Sequence, residues 1–414
     1  MKKNYSNVRG TSDFNPHQAQ SFRKVNEKAI QICKVFGYKE IVLPILEEKG
    51  LFEKGVGQTT DIVQKQMFKI EDKDIVLRPE GTAQVIRYYL QNYLHRKSNF
   101  HKFFYAGPMF RGERPQKGRL RQFHHIGAEA IGSNSIYLDA EMIILCLEIL
   151  KAIGVKEQEL KINTLGCAKD KEKFTKYLKE ALANKKGHLC QDCQRRLDKN
   201  PLRVVDCKRN ECRRVVNSLN LENKHLCSDC NSSFKELLSL LDSLGIKYSY
   251  TPYMVRGLDY YTNTVFEVTS KRLGAQDAIG AGGRYNNLIK FLGGPDIPAI
   301  GFALGVERIL LTLSDGLKEE TIDVFVAAMD DSLYNKGFNI LKDLREKNIS
   351  SDFDYCAKSL KAQLRIAQKE GAKLVVIIGQ EEAKEGCVFL KDMEKSAQEK
   401  VKIEDLVKKV KQSI

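Results

Sequence analysis

Residues 103–110 and 122–129 each read as a β-strand, and between them runs a polar loop carrying Arg111, Arg114, Lys117, Arg119 and Arg121. This pair constrains the fold more than any other stretch. Two strands joined by one loop lie side by side and antiparallel, so the chain has to build outward from an antiparallel sheet with a cationic tip. Gly112 and Gly118 leave the loop backbone free to bend. A plain hairpin this basic would repel itself, whereas arginine forks match phosphate oxygens. A bound polyanion explains the loop better than a solvated surface turn does.

The wider charge pattern agrees. The 414-residue chain carries a formal net charge of +15, which favours a polyanionic partner, nucleic acid first. The excess is concentrated. Residues 95–125 hold eight Lys and Arg against one acid, residues 184–236 twelve against seven, and residues 322–414 seventeen against sixteen. A Lys-rich coat that only kept the protein soluble would be spread more evenly. The N-terminal MKKNYSNVRG is followed by no apolar stretch, so no signal peptide is expected. The longest apolar runs, such as 142–147 and 374–379, are too short to span a bilayer. A cytoplasmic location with no membrane partner is expected. At 42% hydrophobic and 29% charged the chain reads as globular, with length for two or three domains.

Phe22, Val25, Ala29, Ile32, Val35 and Phe36 have helical spacing, giving a helix over 19–36 that Gly37 stops. A short strand at 40–43 closes on Pro44, and 138–150 is an amphipathic helix. The first block is therefore α+β around an antiparallel sheet. Residues 184–236 are different material, basic and Cys-rich without a long apolar run, and read as an insertion. A helix at 234–244 leads back to the main body. Strand-like segments return at 253–261 and 265–269, the glycine-rich GAGGRY follows at 280–285, and 299–313 reads as a strand running into a helix. Beyond Asp315-Gly316, strands at 323–329, 349–355 and 374–379 alternate with helices at 333–347 and 359–370. The last strand is continuously apolar, as buried parallel strands are, and the alternation gives a small α/β domain with right-handed crossovers. Domains are expected at 1–320 and 321–414.

Three further stretches carry chemistry. LRPEGTA at 77–83 sets Glu80 between a proline and a glycine, next to Thr82, where a carboxylate could take an ammonium group; an ordinary turn explains it as well. In VRGLDYYTNTVFEV at 255–268, Arg256, Asp259, Tyr260 and Tyr261 fall together in an apolar strand context, where polar groups are costly unless paired or functional. Arg308 comes early in the helix after AIGFALG, a place where arginine can meet a phosphate, while GAGGRY lacks the GxxxxGK[ST] spacing of a P-loop.

Taken together, these stretches resemble the histidyl-tRNA synthetases, a family of class II aminoacyl-tRNA synthetases, over nearly the whole chain. VRGTSDF at 8–14, with the helix and strand ending at Pro44, resembles the dimer-forming first motif. FRGERPQKGRLRQFH resembles the second motif and AIGFALGVERIL the third. RGLDYYTNTVFEV resembles a histidine-specific segment that other class II enzymes lack, and DYCAKSLKAQLRIAQKEGAKLVVIIG resembles the C-terminal anticodon-binding domain. The resemblance implies a homodimer and a two-step reaction. L-histidine attacks the α-phosphate of ATP, taken with Mg, giving histidyl-adenylate and pyrophosphate. The histidyl group then passes to the terminal adenosine of tRNA(His), releasing AMP.

The resemblance also implies roles. Arg111 and Arg256 would contact the α-phosphate from opposite sides, Phe123 would stack on adenine, and Arg308 would hold the γ-phosphate. Glu80 and Thr82 would bind the α-ammonium of histidine. Glu129 and Tyr261 would read the two imidazole nitrogens, with Tyr260 nearby, and Arg114 and Gln116 would approach the tRNA acceptor end. Two residues depart from the pattern. Gly112 replaces a bulkier residue, and His125 stands where the family usually has a glutamine that binds the substrate ammonium. Neutral imidazole can accept one hydrogen bond, but protonated imidazole would repel the ammonium, so either weaker histidine binding at low pH or a rearranged site is expected. Paralogues that regulate ATP phosphoribosyltransferase usually lack the C-terminal domain and degrade the RGLDYY segment; this chain keeps both. A paralogue that only senses tRNA is disfavoured by the intact Arg111, Arg256 and Arg308.

Six of the eleven cysteines lie between Cys190 and Cys230. A disulfide scaffold is not expected in a large chain without an export signal. Cys190-x-x-Cys193 and Cys227-x-x-Cys230 are two knuckles that can close a tetrahedral four-thiolate zinc site, with Cys212 an alternative ligand. Free thiols are the competing reading, since the 33 residues between the knuckles exceed the common spacing.

Overall fold

Asn15 opens the first helix. Its side chain accepts from the Gln18 amide at 2.9 Å while Gln18 Oε1 accepts from the Asn15 amide at 3.1 Å, a reciprocal cap ahead of Pro16. In this computed structural model α1 (Pro16–Val35) thus begins a turn before its apolar pattern does, because the cap carries no hydrophobic signal. The described residues are 5–414 except 59, 208, 220, 222–224, 275–276, 314–320, 357 and 396. The chain forms two compact units, Met1–Leu317 and Lys318–Ile414. The domain boundary expected at residue 320 lies outside the described residues.

The first unit is organised by one large sheet. After β1 (Lys39–Glu40) come β2 (Leu46–Glu48), α2 (Lys49–Gly55) and β3 (Ile75–Leu77), in which β2 and β3 pair only with each other. Then follow α3 (Thr82–Gln91), β4 (His101–Phe110), β5 (Gln122–Ile131), α4 (Ile136–Ile153) and β6 (Gln158–Thr164). A block of helices comes next: α5 (Ala168–Ala183), α6 (Gln191–Lys199), α7 (Leu202–Val205), α8 (Asn210–Asn217) and α9 (Ser228–Ser243). The unit ends with β7 (Ser249–Tyr250), β8 (Thr262–Ser270), β9 (Ala278–Arg284), α10 (Leu288–Phe291), β10 (Ala299–Gly305) and α11 (Val306–Thr312). The sheet order is β1-β4-β5-β10-β9-β8-β6-β7. Its six central strands are antiparallel and only the two short edge strands pair parallel.

Strand alternation sorts the sheet's two faces. Ile126, Ala128 and Ala130 of β5 enter a core with residues of α1, α4 and α11. The odd positions of β5, which include Phe123, His125 and Glu129, turn the other way, toward the face where Tyr105, Tyr260, Tyr261 and Tyr285 cluster. The glycines of GAGGRY are not a loop. They occupy the middle of β9, where a Cβ on Gly282 would lie 2.4 Å from the Gly301 carbonyl.

Residues 253–261 are not a strand, contrary to the pattern reading; the strand starts at Thr262. The segment has no ladder to join, and side chains of the helical block take its carbonyls instead. Arg203 Nη1 donates to Gly257 O at 2.6 Å, and Lys171 Nζ donates to Asp259 O at 2.6 Å and Tyr261 O at 3.0 Å.

In the second unit, β11 (Val324–Ala328), α12 (Tyr334–Glu346), β12 (Ser351–Phe353), α13 (Leu360–Lys369) and β13 (Leu374–Ile378) give the expected parallel trio, in order β12-β11-β13. Beyond α14 (Gln380–Lys384), the antiparallel pair β14 (Cys387–Asp392) and β15 (Gln398–Lys402) extends the sheet, and α15 (Ile403–Ser413) closes the unit. Only Val401 of β15 is buried, which is why QEKVK gives no strand pattern. No described helix is long and apolar enough to cross a membrane.

Candidate active site

A cavity of about 290 Å³ opens over the odd face of β5. Glu80, Thr82, Arg111, Phe123, His125, Arg256, Tyr260, Tyr261 and Arg308 all line it. The sequence scatters these residues over more than two hundred positions; the sheet brings them to one place. Glu129 lies beneath the cavity and has no exposed surface.

One end of the site is acidic and rich in hydroxyls. Thr82 Oγ1 donates to Glu129 Oε1 at 2.8 Å, and Tyr285 OH donates to Oε2 at 2.5 Å. Tyr105 OH approaches Oε1 at 3.5 Å. No cation pairs with Glu129 among the described residues, and burial pushes its pKa up to about 8 against the donated hydrogen bonds. Gly301 makes room for the carboxylate: a Cβ there would fall 1.7 Å from Glu129 Oε2. Glu80 caps α3. Its two oxygens accept the amides of Thr82 at 2.7 Å and Ala83 at 3.0 Å, while burial raises its pKa. The turn reading of LRPEGTA and the ligand reading are thus compatible in one residue.

The other end is cationic. Arg111 Nε donates to Pro79 O at 2.9 Å, and its guanidinium lies 5.2 Å from the centre of the Phe123 ring. Arg308 Nε donates to Gly118 O at 2.8 Å and Nη1 to Ala278 O at 2.6 Å, tying α11 to the basic loop and to β9. Burial lowers the pKa of Arg111, and burial and then Arg111's charge lower that of Arg308. Arg256 differs. Its Nη1 is 2.5 Å from Glu267 Oε2, and its buried Nε has no partner among the described residues.

The loop between β4 and β5 relieves its own repulsion with its single acid: buried Glu113 pairs with Arg119. The loop is anchored by Gly112 N to Gln66 O at 2.6 Å and Arg121 N to Gly10 O at 2.7 Å. Arg114 and Gln116 are exposed and do not line the cavity. His125 faces Gly107 on β4 and Gly305 on β10, so nothing crowds it across either ladder. Its Nδ1 is buried without a partner among the described residues. Burial, then the charges of Arg111 and Arg308, hold its pKa well below the usual histidine value, so the ring is neutral. That shift works against a protonated His125 repelling ligand at mildly acidic pH.

Several functional side chains escaped the sequence reading. Tyr285, the last residue of GAGGRY, and Tyr105 belong to the Glu129 cage; Glu267 partners Arg256; Glu307 accepts from the His124 amide at 2.9 Å and lies 2.7 Å from His124 Nδ1. Tyr285, Tyr105 and Glu307 have no local signal because each acts through a partner distant in sequence, whereas Glu267 lies only 11 residues from Arg256 in the same stretch. The four proposed zinc ligands do not come together. Cys190 and Cys193 meet Cys207 and Cys212, whereas Cys227 and Cys230 meet Cys167 and Asp170. The knuckles cap different helices, α6 and α9, and only a fold shows which cysteines each helix end faces.

An antiparallel sheet whose hairpin supplies one half-buried arginine, and whose last strand runs into a helix supplying another, defines a class II aminoacyl-tRNA synthetase. Residues 10–309 match the histidyl-tRNA synthetase family model, and residues 323–413 match the anticodon binding domain model. The chain is 43% identical over 409 residues to a histidine–tRNA ligase of Halothermothrix orenii, covering 97% of this chain and 98% of that protein. It is 43% identical over 406 residues to that of Aquifex aeolicus, covering 97% and 100%. The crystal structure of apo Staphylococcus aureus histidyl-tRNA synthetase superposes with a TM-score of 0.80 at 31% identity, covering 98% of this chain and all of that one. The chain belongs to the histidyl-tRNA synthetase family.

Proposed function

We propose that this chain ligates L-histidine to tRNA(His) through a histidyl-adenylate, consuming ATP and releasing pyrophosphate and AMP. The observation that carries the reading is the polarity of the cavity: a buried carboxylate caged by hydroxyls at one end, and Arg111, Arg256 and Arg308 at the other. Histidine has cations to offer the first end, and ATP has anions to offer the second.

The roles follow from the groups. Glu129, held by Thr82 and Tyr285, reads one imidazole nitrogen. Tyr261 reads the other, its neighbour Tyr260 packing at 4.7 Å between ring centres. Glu80, Thr82 and the neutral ring of His125 take the α-ammonium. Leaving such a cage unpaired is costly, which is how a polar pocket rejects an isostere. Arg111 and Arg256 contact the α-phosphate, where charge grows as the histidine carboxylate attacks, and Arg308 contacts the γ-phosphate. Adenine stacks on the Phe123 face away from Arg111. Arginines fixed before the reaction need no rearrangement as that charge develops. Magnesium accompanies the nucleotide's phosphates, as is usual for this ion. Arg114 and Gln116, exposed on the loop, meet the tRNA acceptor end, and residues 321–414 bind the anticodon. The enzyme acts as a homodimer in the cytoplasm.

Histidine-dependent exchange of pyrophosphate into ATP tests the first step, and charging of tRNA(His) the second. Absence of exchange by folded protein would falsify the assignment. Exchange without charging would confine the protein to adenylate formation.

A further inference from the structure

The helical block from α6 to α8 gathers four cysteines at two helix starts. Cys190 is the N-cap of α6 and Cys193 lies in its first turn; Cys207 follows α7, and Cys212 lies in the first turn of α8. All four Sγ atoms lie within 4.8 Å of one another, and none forms a disulfide. A tetrahedral zinc ion with Zn–S bonds of about 2.3 Å needs sulfurs roughly 3.8 Å apart, within that limit. The Cys190 amide donates to Cys212 Sγ at 3.2 Å, a bond that favours sulfur as thiolate. Cys193 and Cys212 have no exposed surface and Cys190 is 7% exposed. Cys207 is half-buried. A soft donor set of four thiols suits a structural ion, not a catalytic one.

The second cluster differs. In Cys167, Asp170, Cys227 and Cys230 the carboxylate is already committed: Asp170 Oδ1 accepts the Cys227 amide at 3.0 Å and Oδ2 the Cys167 amide at 3.4 Å. It ties the start of α5 to the start of α9 as a hydrogen-bonded cap.

We propose that Cys190, Cys193, Cys207 and Cys212 bind one zinc ion, and that this ion sets the position of the histidine-reading segment. The link is direct. Between the second and third ligands, Asn200 Nδ2 donates to Asp259 Oδ1 at 2.9 Å and Arg203 Nη1 to Gly257 O at 2.6 Å. Arg196 and Arg203 both pair with Asp61, at 2.8 and 3.0 Å, next to cavity-lining Ile62. The ion fixes the α6–α7 segment bearing these residues, and they fix the irregular backbone that carries Arg256, Tyr260 and Tyr261. This coupling rests on the histidine-binding role proposed above; the metal site does not.

The test uses the full chain purified without chelator. Metal analysis is expected to find about one zinc per chain, and cobalt exchange to give thiolate charge-transfer and tetrahedral d–d bands. Cys207→Ser and Cys212→Ser should each leave less than about a tenth of an equivalent, while Cys227→Ser keeps the ion. Circular dichroism identifies variants that have lost the fold, and the cobalt spectrum of the wild-type chain stands independently of them. Zinc below a tenth of an equivalent in the wild type overturns the site, as does zinc that survives Cys207→Ser but is lost in Cys227→Ser. For the coupling, zinc-depleted folded protein should show a KM for histidine raised about tenfold or more, with kcat and the KM for ATP changing less. Arg203→Ala should reproduce that split with zinc retained. Unchanged KM in both overturns the coupling and leaves the metal site standing.

Discussion

The two ends of the cavity are built on opposite electrostatic plans. At the phosphate end, Arg111 and Arg308 are positioned by donating to backbone carbonyls of Pro79, Gly118 and Ala278. At the imidazole end, Glu129 and Glu80 are held by hydroxyls and amides, with no salt bridge to either among the described residues. The phosphate end thus presents cations to the anions it is to bind, while burial at the other end favours the neutral carboxyls of Glu129 and Glu80 until a cationic ligand reaches them. Such an arrangement costs stability in the empty protein and returns it on binding. Arg256, already paired with Glu267, is the exception, and its charge is spent on orientation as well as attraction.

The comparison breaks most severely at Arg111. Arg111→Ala removes the half-buried cation proposed to meet the reacting phosphate, and histidine-dependent pyrophosphate exchange should fall on the order of 10³-fold or more, mostly in kcat. A loss below tenfold would mean that Arg256 and Arg308 suffice at that end.

Glu129→Gln attacks the opposite end and separates function from stability. Exchange should fall on the order of 10²-fold, mainly through KM for histidine. Stability should move the other way. A carboxyl whose folded pKa is about 8, against 4.5 unfolded, contributes stability that is complete below pH 4.5 and is lost as pH rises toward 8. The glutamine variant has no such loss. Denaturant unfolding should find the two proteins alike near pH 4.5 and the variant more stable by on the order of 3 kcal/mol at pH 8. Parallel curves across that range would show that Glu129 is ionised in the folded protein. Tyr285→Phe sharpens the same end: removing one donor to the carboxylate should raise KM for histidine about tenfold and leave KM for ATP alone.

The phosphate end was far more legible in the sequence than the imidazole end. Arginines in a glycine-punctuated loop, and one at the start of a helix after an apolar strand, announce themselves locally. The cage around Glu129 does not: Thr82 opens α3, Tyr105 lies on β4 and Tyr285 follows β9, three places that only the folded chain brings together. The large strands and helices were legible through their periodicity. Residues 253–261 were misread because an apolar, aromatic segment looks like a strand whether or not a ladder exists to receive it. Here Lys171 and Arg203 supply the bonds that a neighbouring strand would have made. The cysteine partition failed for a related reason, since CxxC spacing identifies a knuckle but not the knuckle it faces.

The smallest expected effect belongs to His125, which follows neither plan. It lines the same cavity, burial disfavours its charged form, and its Nδ1 spends no hydrogen bond on any described residue. The pressure that keeps it neutral comes from burial and from the phosphate-end arginines, so the two ends meet electrostatically at this residue. His125→Gln supplies an amide oxygen that accepts from an ammonium without depending on a tautomer, and KM for histidine should fall about threefold, the scale of one improved neutral hydrogen bond. Because the wild-type ring is already neutral, the ratio of the two KM values should stay constant from pH 6 to about 7.5. A ratio that widens toward acid would show that His125 does take up a proton there. An unchanged or higher KM would remove it from the ammonium's surroundings and leave Glu80 and Thr82 to hold that group.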